Sequence, residues 1–179
     1  MTTTTTGHVL GLGPYRLAQL FSATSLAFFF GASSYSSISV MPSLIDAPLS
    51  THQKLSFFKH MILRGNAIIP PALLSAIANL AYLAYSAPLQ TSRQAHLLAL
   101  GALVATLGLQ VPILPKNKAM VEIADRGKGK DDDGSEANWR IAELSRWNLG
   151  RVALSGIAFV VTAWEMIPRR DGTPLPVRL

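Results

Sequence analysis

Apolar residues gather into four long runs, roughly residues 16–41, 60–85, 95–115 and 148–167, instead of recurring at the spacing of a soluble amphipathic fold. Each run reaches the ~20 residues that a helix needs to cross a ~30 Å hydrocarbon layer. Lipid offers a backbone amide no water to bond, so such runs must close their hydrogen bonds internally, as helices. The pattern predicts an all-α protein, a four-helix transmembrane bundle forming a single integral membrane domain over residues 1–179.

Prolines and charges punctuate the runs. The first ends at MPSLIDAPLS, where Pro42 and Pro48 break it. A short loop carrying Lys54 and Lys59 leads into HMILRGNAIIPPALLSAIANLAYLAYS, whose internal Pro70 and Pro71 predict a kink. APLQTSRQ is a turn, and the third run closes at Pro112 and Pro115. Residues 116–146 then read as a long hydrophilic loop, flexible at its Lys-, Gly- and Asp-rich centre. This loop carries seven basic and seven acidic side chains. The fourth run ends at EMIPRRDG, with Arg169 and Arg170 at the interface.

Composition narrows the chemistry. The 179 residues include no cysteine, which excludes disulfides, thiolate metal sites and thiol redox catalysis. The net charge of +6 does not call for nucleic acid, because basic residues beside membrane spans give the same balance. The threonine-rich opening MTTTTTGHVLGLGPYR has no basic n-region, so the first span is expected to serve as the targeting signal. An even span number puts both termini and the 86–94 turn on one side. The bias of Lys and Arg then favours the 42–59 and 116–146 loops in the cytosol.

Polar residues inside the spans are the informative part. At 100° per residue, Asn148, Arg151, Ser155 and Thr162 fall within a ~60° stripe of the fourth span. His60, Arg64, Pro71, Ser75 and Tyr82 share a face of the second, and Ser22, Ser25, Ser33 and Ser36 a face of the first. On the third, Thr106 and Gln110 share a face that Asn117 joins if the helix continues past Pro115. With alternating helix direction, His60, Arg64, Gln110, Asn117, Trp147, Asn148, Arg151, Tyr35 and Ser36 reach one depth, beside the long loop.

Taken singly, each has an ordinary structural explanation. Arginines near a span end snorkel to headgroups, Trp147 can anchor at the interface, and serine stripes make close-packing seams. As a set they predict a polar pocket, because intramembrane ionisable groups mostly face cavities. No span-embedded carboxylate lies at this end. Asp46 is in the first loop, Glu143 precedes the fourth span, and Glu165 sits at the far end, four residues from Arg169. The expected pocket is cationic and walled by Phe28, Phe29, Phe30, Tyr35 and Phe57. That suits a flat, hydrophobic, acidic molecule dissolved in the membrane. The histidines His8, His52, His60 and His96 are scattered and show no metal-ligand spacing. GKGKDDDG is not a phosphate loop, and HVLGLG has no strand before it.

The VPILPKNKAM end of the third span and LSRWNLGRVALSGIAF opening the fourth resemble the anthrone oxygenase family of small four-span membrane proteins from polyketide gene clusters. The Pro-x-Asn at 115–117 and the Trp147-Asn148-x-x-Arg151 motif carry the resemblance, which extends over about 15–167. It implies oxidation of an anthrone to an anthraquinone by molecular oxygen with no cofactor. Some family members have a histidine shortly before the fourth-span arginine. Here that stretch reads WNLGR, which shifts the expected base to His60. The resulting expectation is His60 as base, with Arg64 and Arg151 as oxyanion stabilisers. Asn117 and Asn148 would position substrate or peroxide, Trp147 would stack on the rings, and Gln110 and Tyr35 would complete the substrate site. The expected partners are a hydrophobic polycyclic aromatic substrate, membrane lipid and other polyketide-pathway enzymes, with no nucleic acid and no metal. The expected membrane is the endoplasmic reticulum. The competing class is a non-catalytic four-span accessory, scaffold or lipophile-binding or transport protein.

Overall fold

The computed structural model describes residues 13–167, so His8, the threonine-rich start and the tail arginines Arg169, Arg170 and Arg178 lie outside the described residues. Four helices, α1 (Pro14–Asp46), α2 (Thr51–Ser86), α3 (Gln90–Asp125) and α4 (Ser135–Met166), are long and apolar enough to cross a membrane. Among the described residues there is no strand. Short connections make consecutive helices antiparallel. α1 packs on α2, α2 on α3, α3 on α4, and α4 back on α1.

The helices are too long for the hydrocarbon alone. At ~1.5 Å per residue, lengths of 32 to 36 residues correspond to about 48–54 Å, against a ~30 Å layer. Charge shows where the surplus lies. Residues 17–45, 65–86, 94–115 and 152–164 contain no Asp, Glu, Lys or Arg. The ion pairs Lys59–Asp125, Lys116–Glu143, Arg126–Glu122, Lys128–Glu136 and Arg140–Glu136 all sit at the end bearing the 47–50 and 126–134 connections, here called the loop end. The helices therefore run on into water there.

This corrects the reading of residues 116–146 as a flexible loop. α3 continues to Asp125 and α4 starts at Ser135, leaving only 126–134 as a connection. Likewise α1 persists to Asp46 and α2 starts at Thr51, so the 42–59 loop shrinks to four residues. Polar outer faces hid these extensions from a hydropathy reading, but their inner faces are apolar. Met41, Leu44, Leu55, Phe58, Ile113, Met120, Ile141 and Leu144 form a core of their own. A second core, with Leu26, Phe29, Leu73, Leu80, Leu83, Leu103 and Ala158, fills the bundle farther from the loop end. Two apolar cores are thus stacked along the bundle axis.

The loop-end connections are tied down. A helix N-terminus leaves its first amides without intrahelical acceptors. In α2, Ser50 and Gln53 satisfy each other in a capping box, the Thr51 amide donates to Asp132 Oδ1 at 2.8 Å, and the His52 amide donates to the Gly129 carbonyl at 2.9 Å. The 126–134 segment therefore caps α2 before turning into α4. The turn requires Gly134, whose φ is +78° and whose absent Cβ would lie 2.3 Å from the Leu49 carbonyl oxygen. Beneath it Lys54, 1% exposed, donates from Nζ to the Ile45 carbonyl at 2.8 Å and to Asn138 Oδ1 at 2.6 Å. One buried ammonium thereby joins α1, α2 and α4.

Proline explains the irregular places. Pro42 offers no amide, and its ring crowds the carbonyl four residues back, so the preceding turn of α1 widens into a π-helical segment, Ser36–Val40. Pro112 removes the bond to Gly108, and α3 breaks its regular geometry at Leu109 before resuming at Gln110. Pro70 and Pro71 lie inside α2.

Two measurements check this end of the molecule. Lys54→Met should lower stability by about 1–3 kcal/mol in detergent unfolding, because Asn138 Oδ1 and the Ile45 carbonyl lose their donor while apolar volume is kept. The Thr51 amide holds the Asp132 carboxyl below the ordinary carboxylate range. A depressed folded-state pKa stabilises fully above the unfolded value, ~3.9, and that contribution fades as pH falls through the folded value. Asp132→Asn should flatten this acid-side slope of the melting temperature.

Candidate functional site

Between the two apolar cores lies a polar layer. α4 enters it with Asn148, 9% exposed, and Arg151, half-buried. These residues are three apart and share a face. Arg151 donates from one terminal nitrogen to Asn148 Oδ1 at 3.2 Å, and its guanidinium carbon stands 5.5 Å from the ring centre of the fully buried Phe29. Asn148 Nδ2 donates weakly to Met41 Sδ at 3.8 Å. Across from them α1 supplies Ser33, Ser36 and Ser37, the last two from its π-helical segment, and α2 supplies Ile69 beside Pro70. Together these side chains line a partly open hollow of about 50 Å³.

The electrostatics of this hollow are unbalanced. No carboxylate pairs with Arg151 among the described residues. Arg151 Nε is enclosed without a hydrogen-bond partner, as are the hydroxyls of Ser33 and Ser37. Buried polar atoms are nearly always satisfied, and three of those without a partner gather around this one hollow, which makes it the candidate site for a polar ligand. The guanidinium cannot escape by deprotonation. Donors are in excess, and the site favours an oxyanion or a small acceptor.

The structure brings together only part of the expected set. Asn148, Arg151, Ser33 and Ser36 meet, with Phe29 beneath. His60 and Arg64 do not join them. Both are exposed on the outer face of α2, and His60 Nδ1 donates to the Ser56 carbonyl of its own helix at 2.7 Å. They share the depth of Arg151, since Arg64 and Asn148 are each the fourteenth residue of their helix. At that level, where the helices leave the hydrocarbon, α2 turns Phe58 and Ile69 inward and its polar residues outward. Tyr35 is 67% exposed, and Phe28 and Phe57 also face outward. Phe30 stacks on Phe159, with ring centres 5.9 Å apart. Gln110 is half-buried at the α3 break. Asn117 is half-buried with an enclosed, unpartnered Oδ1, and neither lines the hollow. Trp147 turns away into a groove between α3 and α4.

A second polar group escaped the sequence reading. At the far end the fully buried His96 of α3 lies 3.1 Å from the Tyr15 hydroxyl of α1, linking diagonal helices across the bundle. The buried Gln19, bonded to Arg16, and Ser92 lie at the same end. The signal was spacing along α3, where Ser92, His96, Ala99, Leu103 and Thr106 form one buried stripe.

The anthrone oxygenase family model matches residues 58–161, more than half of the chain. The protein belongs to the anthrone oxygenase family. The matched region holds Asn148, Arg151, Trp147 and Asn117 but not α1, so Phe29 and the three hollow-lining serines lie outside it. No match was found among curated proteins or solved structures.

The orphan hydroxyls give a test. A serine whose hydroxyl bonds nothing inside the protein contributes little to the fold. Ser37→Ala and Ser33→Ala should therefore shift stability by less than about 0.5 kcal/mol. A loss above about 1 kcal/mol would reveal an internal partner and remove the reason to assign these hydroxyls to a ligand.

Proposed function

We propose that this protein is a membrane-embedded oxygenase that converts a polyketide anthrone to an anthraquinone with molecular oxygen, without a further cofactor, in the endoplasmic reticulum. Family membership supports an oxygenase. The observation that carries the finer reading is Arg151, a guanidinium held inside the bundle with no carboxylate among the described residues to neutralise it.

The chemistry asks for such a group. An anthrone tautomerises and ionises to a delocalised phenolate, and a neighbouring fixed cation favours the ionised form. The phenolate gives one electron to oxygen, and the radical pair combines to place a peroxide on the central carbon. The peroxide takes up the first proton as a hydroperoxide, and the carbon then loses its second hydrogen as a proton while the O–O bond breaks and hydroxide leaves, the two combining as water. In sum, the methylene and one oxygen molecule become a carbonyl and one water. The methylene supplies both electrons and both protons that the second oxygen atom needs, so the balance calls for no outside reductant.

In this reading Arg151 holds the substrate oxyanion, with Asn148 setting the guanidinium plane. Ser33 and Ser37 offer hydroxyls to the peroxide as charge develops on it. Dioxygen and the peroxide oxygens are of a size with a 50 Å³ hollow. The first proton need only be held briefly, because the peroxide takes it up before the O–O bond breaks. That transient task requires no histidine at the reacting carbon, so His60 on the outer face has no necessary part.

Membranes containing the protein should oxidise an anthrone under air faster than spontaneous autoxidation. Label from ¹⁸O₂ should enter the new carbonyl and the water. Arg151→Ala should lower the catalysed rate by about 10²–10³-fold, the usual loss for one oxyanion donor. His60→Ala should stay within about threefold of wild type, a change below ~0.7 kcal/mol in barrier. Full activity in a folded, inserted Arg151→Ala protein would overturn the reading. No rate above autoxidation in wild type would favour the accessory class instead.

A further inference from the structure

The hollow beside Arg151 is too small for the substrate just named. Its volume of about 50 Å³ is far below the ~300–1,000 Å³ of sites that take small molecules. A tricyclic skeleton must therefore rest elsewhere, with only its reacting edge presented to the hollow. Where α3 and α4 emerge at the loop end, a groove of about 500 Å³ lies between them, within the ~300–1,000 Å³ range of small-molecule sites. Its walls are aromatic and rigid, with Trp139 and Trp147 on α4 facing Pro112 and Pro115 on α3. The two indoles are 62% and 40% exposed, so their surfaces are not spent on internal packing.

Position completes the case. Lys116, Arg140 and Glu143 line the groove. Lys116 pairs with Glu143, and Arg140, paired with Glu136, also stacks 5.6 Å from the ring centre of Trp139. Trp147 stands four residues before Arg151, one helical turn away on an adjoining face of α4. Trp147 and Asn148 are neighbours in sequence, yet one lines the groove and the other the hollow. The turn of α4 that carries them is the partition between the two spaces.

We propose that the α3–α4 groove is a loading site for a flat polycyclic aromatic phenol. Its rings stack on Trp139 and Trp147 and its hydroxyl bonds to the Lys116–Glu143 pair, from where the reacting edge passes one turn along α4 to Arg151. The choice of ligand rests on the oxygenase reading above. The groove's walls fit a rigid aromatic plate better than a lipid headgroup, which would meet cations already paired with Glu143 and Glu136 and leave both indoles without a partner.

Binding can be read without turnover. The full chain, carrying Trp164→Phe to remove the indole at the other end of α4, is placed in phosphatidylcholine nanodiscs. It is then titrated with 1,8-dihydroxyanthraquinone, which has no methylene left to oxidise. Saturable quenching of the two remaining indoles is expected. Trp139→Ala and Trp147→Ala should each weaken it about 3–10-fold, with Phe at either position restoring most of the affinity. In anthrone oxidation Trp139→Ala should raise KM by a similar factor and leave kcat within about twofold, whereas Arg151→Ala acts on kcat. The melting temperature of the Phe variants separates stacking from folding. Quenching indifferent to both alanine variants would overturn the loading site while leaving the oxygenase reading in place. Phosphatidylglycerol in the nanodisc displacing the anthraquinone and reproducing its signal would make the groove a lipid site, and also overturn it. Indole-dependent binding without any catalysed oxidation would uphold the groove as an aromatic site and sink the oxygenase reading alone.

Discussion

The molecule is arranged around a charge that cannot be titrated away. Arg151 lies where the bundle passes from its hydrocarbon-spanning core to its water-exposed core, and it points inward. Partial burial of a guanidinium costs free energy that Coulomb pairing would normally offset. Here the compensation comes from neutral groups, namely the Asn148 carbonyl oxygen and the face of Phe29. A hydrogen bond to a charged group contributes about 1.5–3 kcal/mol and a desolvated cation–π contact about 2 kcal/mol. Both neighbours leave the net charge at +1. A carboxylate in place of Asn148 would have made a quieter structure and a weaker anion site.

The surroundings of that charge are the least regular part of the backbone. The widened turn of α1 at Ser36–Val40 brings Ser36 and Ser37 to the hollow, and Ile69 reaches it from beside the paired prolines of α2. A π-helical turn and a proline pair both weaken the amide ladder, so two of the three helices around the hollow can deform there at low cost. The third, α4, is regular through Asn148 and Arg151. The groups that hold charge thus sit on the stiff wall, and the groups that would make room for a reacting edge sit on the pliable ones.

Hydropathy alone was enough to place four helices, because a predominantly apolar run of about twenty residues has few other uses. It failed for residues 116–146 for a definite reason. Their charges pair across helices, as in Lys116–Glu143 and Lys59–Asp125, and their apolar residues Met120, Ala124, Ala137, Ile141 and Leu144 recur at helical spacing. A length-and-composition reading sees the charges and overlooks the spacing. The polar layer was legible on α4, where Asn148, Arg151 and Ser155 keep one phase. On α2 the placement differs from the expected one, because His60 and Arg64 share the depth of Arg151 but face outward. The rule that polar side chains face inward holds within lipid and reverses at its edge, and α2 crosses that edge near Arg64. Only packing could show which rule governs a given turn.

A site at this level suits reactants with opposite preferences. Dioxygen is apolar and concentrates in hydrocarbon, while a phenolate is stable only near water or a fixed cation. A reaction centre deep in the bilayer would have oxygen without the anion, and one in the aqueous extension would have the anion without enriched oxygen. Arg151 stands at the boundary, below the apolar core containing Leu73 and Leu103 and above the one containing Leu55 and Ile141. The far end of the bundle is closed by Tyr15 and His96 bonded across its axis, and its arginines Arg16 and Arg93 lie in the first turns of their helices, outside the charge-free runs. The asymmetry argues against a path for polar solutes through the membrane. It is what a catalyst needs if both its reactants are to meet at a single depth.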